Sequence, residues 1–177
     1  TQVSSGLSTD QVVALATSQV QGMTTDQVAN MTTSQVAALE TRDVAALKTA
    51  QVAALTTTQI NKGLTTDQVA ALTTAGIAAL TTTQLVALST DQVVALTTSQ
   101  VAALKTDQAA ALVTTQIAAM ETRDVAAFTT AGVAALTTNQ VAALTTTQVE
   151  SLTTSQIAAF TTDQISHLTL GTPLILD

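Results

Sequence analysis

The chain has 177 residues, 46% of them apolar, 10% charged and 1% aromatic, with a net charge of −7 and no cysteine. Five scattered basic residues (Arg42, Lys48, Lys62, Lys105 and Arg123) and the absence of Trp and Tyr argue against nucleic acid, which needs phosphate-neutralising cations and stacking platforms. The lack of cysteine excludes a disulfide framework or thiolate metal site. No apolar run approaches the roughly 18 residues of a membrane span, and so apolar a chain is not disordered.

The opening "TQVSSGL" has neither the basic n-region nor the apolar h-region of a signal peptide. It begins inside a repeat phrase and reads as a fragment of a longer protein. From Leu7 a large apolar residue recurs every eight residues through Leu55, then from Leu64 through Leu168. Taking that residue as position one, position three is Thr in every copy from Thr9 to Thr162. Position five is Gln except at Asp43, Gly76, Asp124 and Gly132, and position six is Val or Ile except at Leu85 and Ala109. Positions seven and eight are mostly Ala, and position four varies. "INKGL", 60–64, adds one residue, and Gly63 there predicts a helix C-cap with a kink or local loop. "LSTDQVVAL" at 7–15 and 88–96 and "ETRDVAA" at 40–46 and 121–127 repeat at one common offset, the mark of block duplication. The sequence thus divides into an octapeptide-repeat solenoid over 1–168, irregular at 60–64, and a non-repeat tail at 169–177. The tail, with Pro173, reads as a turn into a strand and the start of a following domain.

Eight residues advance an α-helix by about 80° beyond two turns, so a single long helix would spiral its apolar stripe around the axis. A β-solenoid with octads as half-coils is an alternative, which Ala-Ala, Gln and the uneven apolar spacing disfavour. The expected fold is all-α, a solenoid of about twenty short capped helices. The Thr at position three is expected to cap each helix. A T-x-x-Q capping box from position two fails at Glu40, Lys48, Lys105, Val113 and Glu121. Helices so short do not persist alone, so each copy must stack on neighbours, Val and Leu filling the core and Ala allowing close approach. Two octads per coil would give about ten coils and a rod near 90 Å, at roughly 8–10 Å per coil.

The chain offers no catalytic, cofactor-binding or metal-ligating residues. His167 is the only histidine and reads as a polar substitution near the end of the array. Asp10, Asp26, Asp67, Asp91, Asp107 and Asp163 at position four could line an edge and hold Ca²⁺ weakly. Copies between them lack carboxylates, however, and Asp in a first turn already favours the helix dipole. Arg42–Asp43 and Arg123–Asp124 read as ordinary surface pairs. Rows of Thr invite an ice-binding role, but capping accounts for them. There is no Gly-rich phosphate loop, nucleophile elbow or acid–base pair.

"LSTDQVVAL" looks like the helix opening of the TAL-effector repeat, but the longer repeat and base-reading loop of that family are missing. Arrays of "LTTxQVAAL", followed by "GTPLILD" at 171–177, resemble segments of large secreted bacterial proteins of the repeats-in-toxin, hemolysin-type calcium-binding group. That resemblance implies a bacterial, extracellular, type I-secreted protein. Any calcium site would lie downstream of Asp177, and no cofactor is expected within the chain. The expected function is structural, as a stalk, adhesin body or filament subunit that self-associates end to end or meets a cell-surface partner. The alternative is a binding module that reads a protein, glycan or ion along position four. An enzyme is not expected.

Overall fold

The computed structural model describes residues 6–168. Within them the chain forms twenty short helical segments, from Thr9–Val13 to Thr162–Ser166, and no strand. The all-α solenoid is therefore the fold, and the β-solenoid alternative is not. The strand expected after Pro173 lies outside the described residues.

Each segment has four to six residues. All but Gln59–Gly63 begin at position three and end between positions six and eight. Two extended residues then turn the chain into the next helix. At Leu72 and Thr73, for example, the backbone runs through φ −57°, ψ 139° and φ −67°, ψ 156°. The large apolar residue thus closes one helix and the next residue opens another, which is why the period can be as short as eight.

Segments that pack against one another lie three apart in sequence. Thr98–Ala102, for instance, packs on Thr74–Ala79 below it and on Thr122–Val125 above it. Three octads therefore make one coil, and the helices stack in three columns around a common core. Two octads per coil was the wrong division. Three short sides enclose a core filled by two residues per side, whereas a two-sided coil would leave one flank of each helix open. Twenty segments then give fewer than seven coils, so at helix-packing distances the rod is about 60 Å long.

The core is the position-six residue and the large residue that follows it. Val20, Val36, Val69, Ile77, Val93 and Ile117 are fully buried, and the position-one leucines from Leu39 to Leu144 are buried beside them. The two exceptions at position six stand in the same place in adjacent coils. Leu85 lies on Thr82–Val86 and Ala109 on Thr106–Ala111, which pack together. A large residue thus stands against a small one. The alanines of positions seven and eight lie half-buried or exposed, and Ala38, Ala87 and Ala127 among them pack against the edge of the core.

The extra residue at 60–64 is absorbed without a loop. The segment Gln59–Gly63 is a π-helical turn, closed by Leu64 N–H donating to the Gln59 carbonyl at 2.9 Å. A one-residue insertion is accommodated most simply by such a widened turn, because core register resumes at once. Gly63 is not a left-handed cap. It is small because its helix lies against the coil below, where an added Cβ would come within 3.1 Å of the Val36 Cβ.

Candidate functional site

The residues singled out from sequence are dispersed. The six position-four aspartates are all exposed, at the second position of their helices. Asp67 and Asp91 sit on adjacent coils of one column, and the rest are scattered over all three. No group of three or more His, Asp or Glu able to hold a metal ion occurs among the described residues. His167 is exposed at the end of the last segment, its Nδ1 2.7 Å from the Asp163 carbonyl oxygen.

Capping differs from the expectation. The cap is position two, not the invariant Thr of position three, which is the first helical residue. Thr97 Oγ1 accepts the Gln100 N–H at 3.2 Å, while Gln100 Oε1 accepts the Thr97 N–H at 2.8 Å. The same box closes at Thr24, Thr32, Thr65, Thr81, Thr137, Thr145, Thr153 and Thr161. Where position two is Lys48, Lys105 or Val113, the Gln half survives alone: the Lys105 N–H donates to Gln108 Oε1 at 2.9 Å and the Val113 N–H to Gln116 Oε1 at 3.0 Å. At these three exceptions only the hydroxyl half of the box is lost, whereas at Glu40 and Glu121, which precede Asp43 and Asp124, neither half forms.

The position-five glutamine does more than cap. A helix of five residues is nearly all terminus, and each terminus leaves orphan N–H or C=O groups. An amide carries acceptor and donors together. While its oxygen serves its own helix, its Nε2 reaches the coil below. Gln100 Nε2 donates to the carbonyls of Val69 at 2.9 Å and Leu72 at 2.7 Å. Gln68 does so to Val36 and Leu39, Gln108 to Ile77 and Leu80, and Gln148 to Ile117 and Met120. The usual acceptors lie 28 and 31 residues earlier, at the C-terminal end of a helix in the coil below; the π insertion lengthens that spacing, and Gln156 takes the Ala126 carbonyl, 30 residues earlier, beside that of Phe128. These glutamines are buried, Gln100 at 2% exposure. In the first coil, with no described coil beneath, Gln11 and Gln19 are exposed. The feature that organises the molecule is therefore a ladder of buried amides stapling coil to coil.

Four positions break the ladder. At Gly76 and Gly132 the Thr73 and Thr129 hydroxyls still accept the glycine N–H, each at 2.9 Å. An added Cβ would press on those hydroxyls at 3.2 Å. Asp43 and Asp124 are fully buried, so they are not the surface pairs expected of them. Their arginines pair instead with the exposed-edge glutamates, Arg42 with Glu40 at 2.5 Å and Arg123 with Glu121 at 2.6 Å, and stand 3.9 and 3.8 Å from the aspartates. Thr17 Oγ1 donates to Asp43 Oδ1 at 2.6 Å, leaving Oδ2 without a hydrogen bond. Both carboxyl oxygens of Asp124 lack one. Burial raises the Asp124 carboxyl above the ordinary value of 3.8; Arg123 opposes the shift and Glu121 adds to it.

No helix among the described residues is long and apolar enough to cross a membrane. No curated protein and no solved structure matches the chain significantly. The family model described as the ALTTAQ repeat matches it at residues 5–33, 36–74, 64–98, 77–114, 117–154 and 146–170. With those matches running over nearly the whole array, the chain belongs to the ALTTAQ-repeat family.

Proposed function

We propose that this chain is a structural spacer: a rod-like, non-catalytic segment of a bacterial secreted or cell-surface protein, acting as stalk, adhesin body or filament subunit. The observation that carries the reading is the amide ladder. The most regular buried polar groups, the position-five amides, are used on backbone carbonyls of the coil below. A rod built this way lengthens by adding octads without redesign, since each coil contacts only its neighbours. The block duplications in the sequence fit that mode of growth.

The secreted, bacterial setting rests on the resemblance of the octads to repeats-in-toxin proteins, and any calcium site belongs to that setting rather than to these residues. The second reading, a binding strip along position four, is favoured by the exposure of its six aspartates. One experiment separates the two. In the protein that carries this segment, an in-frame deletion of one 24-residue coil is compared with exchange of the position-four aspartates for serine. A spacer shortens by about 9 Å in scattering per coil removed, and attachment or display changes with length but not with the serine exchange. Loss of a binding activity on the exchange, with length unchanged, would replace the spacer reading with the strip.

A further inference from the structure

We propose that the joint at Asp124 is an acid-tightened seam in the rod, in which a carboxylic acid proton takes the donor role that a glutamine amide fills in the stapled coils. The argument begins with register. Asp124 stands 24 residues after Gln100 and 24 before Gln148, at the same position of one column, and both neighbours donate to two carbonyls one coil below. The matching carbonyls beneath Asp124 are those of Val93 and Leu96. An ionised carboxylate has acceptors only, and the two Asp124 oxygens are buried with no donor to either. A protonated carboxyl has one O–H and can donate to the Leu96 or Val93 carbonyl, restoring one rung.

The charges around the site do not cancel this. On its own segment, Thr122–Val125, Arg123 pairs with Glu121 at 2.6 Å and stands 3.8 Å from Asp124, where it opposes but does not outweigh the effect of burial. The packed segment Thr98–Ala102 below carries no titratable side chain. Thr146–Glu150 above carries Glu150, which is exposed. Thr90–Val94, whose end provides the carbonyls, carries Asp91 in its exposed first turn. A cation is a poorer occupant than a proton, since one carboxylate and two carbonyls fall short of the six to eight oxygens of a Ca²⁺ site.

The sign follows from linkage. A carboxyl raised in the folded state keeps its proton after the unfolded chain has lost it. Stability therefore falls as pH rises from the ordinary aspartate value to the folded one, and the full cost applies above that window. The test compares the whole chain with its Asp124→Gln variant in thermal unfolding from about pH 3 to about pH 7. The variant installs the residue that the array already uses there, so it should fold. Its advantage should be smallest in acid and grow with pH; an advantage that does not change with pH would overturn the proposal. In the unmodified protein, the Asp124 carboxyl followed by carbon NMR should titrate above the ordinary aspartate range. A midpoint within that range would mean that Thr98 donates to the ionised group, as Thr17 does to Asp43, and would sink the idea. So would stabilisation of the native protein, but not of the variant, by added Ca²⁺ at neutral pH.

Discussion

Gln100 and Asp124 make a controlled comparison inside one molecule. They occupy the same place in consecutive coils of one column, each in the first turn of a short helix, and each is buried. The glutamine closes its own capping box and reaches two carbonyls below. The aspartate does neither, and its cap residue Glu121 makes no side-chain cap bond. Apolar packing continues through both, with Val101 and Val125 each at 1% exposure. The coils therefore hold together by packing at both positions and, at position five, by amide staples only where Gln is present. Cohesion along the rod varies with position, although the outline of each octad does not.

The largest expected effect comes from turning the stapled joint into an unstapled one. Gln100→Ala leaves the Leu72 carbonyl and the Thr97 N–H without the partners that Gln100 provides, strips the Val69 carbonyl of one of its two donors and leaves a buried void. With about 1–3 kcal/mol for each unsatisfied buried group, partly relieved by water, a loss of about 2–4 kcal/mol is expected in urea unfolding. Gln11→Ala is the internal control. Its amide is exposed and bonds only within its own helix, so the loss should stay below about 1 kcal/mol. Similar losses for the two variants would show that the inter-coil rungs contribute little.

This difference also marks what was legible in the sequence. The all-α solenoid, the capped helices and the Val/Leu core follow from local rules: an eight-residue phase drift that rules out a long helix, Thr beside a helix start, apolar residues three apart. The number of octads per coil does not follow, because no local rule says which copies become neighbours in space. Nor does the second half of glutamine's work, which joins residues 28 and 31 apart. A signal was present all the same. Gln is nearly constant at position five, whereas surface polar residues at position four vary. That contrast between a fixed polar position and a variable one points to burial. Choosing the Thr of position three as the cap had a simple cause. Position three is the invariant one, but a capping box with Lys105 or Val113 at position two still keeps its amide half.

An intermediate effect tests whether packing is indeed the common term. Leu85 and Ala109 share register in packed helices, so large should compensate small. Ala109→Val should overpack the site by about 1–3 kcal/mol, and Leu85→Val should lose about 0.5–1.5 kcal/mol. The double variant restores the Val–Val arrangement found elsewhere in the array and should cost clearly less than the sum of the two. A double-mutant cycle measures the coupling. Strict additivity would show that the two residues do not share a space.

The smallest effect separates the two halves of the capping box, and it is a gain. At Val113 the amide half is present and the hydroxyl half is absent, with the valine 41% exposed. Val113→Thr should let the new hydroxyl accept the Gln116 N–H, as Thr97 accepts from Gln100. It also removes an apolar side chain from the surface. Nothing beneath is disturbed, because Gln116 Nε2 already meets the Leu85 and Leu88 carbonyls. A cap of this kind contributes about 1 kcal/mol, and a gain of up to that size should appear as a higher denaturation midpoint with an unchanged slope. The gain should persist in a Gln100→Ala background, since the two sites share no partner. If it vanished there, capping and stapling would be one cooperative unit, and the contrast between Gln100 and Asp124 would have to be read as a property of whole coils rather than of single rungs.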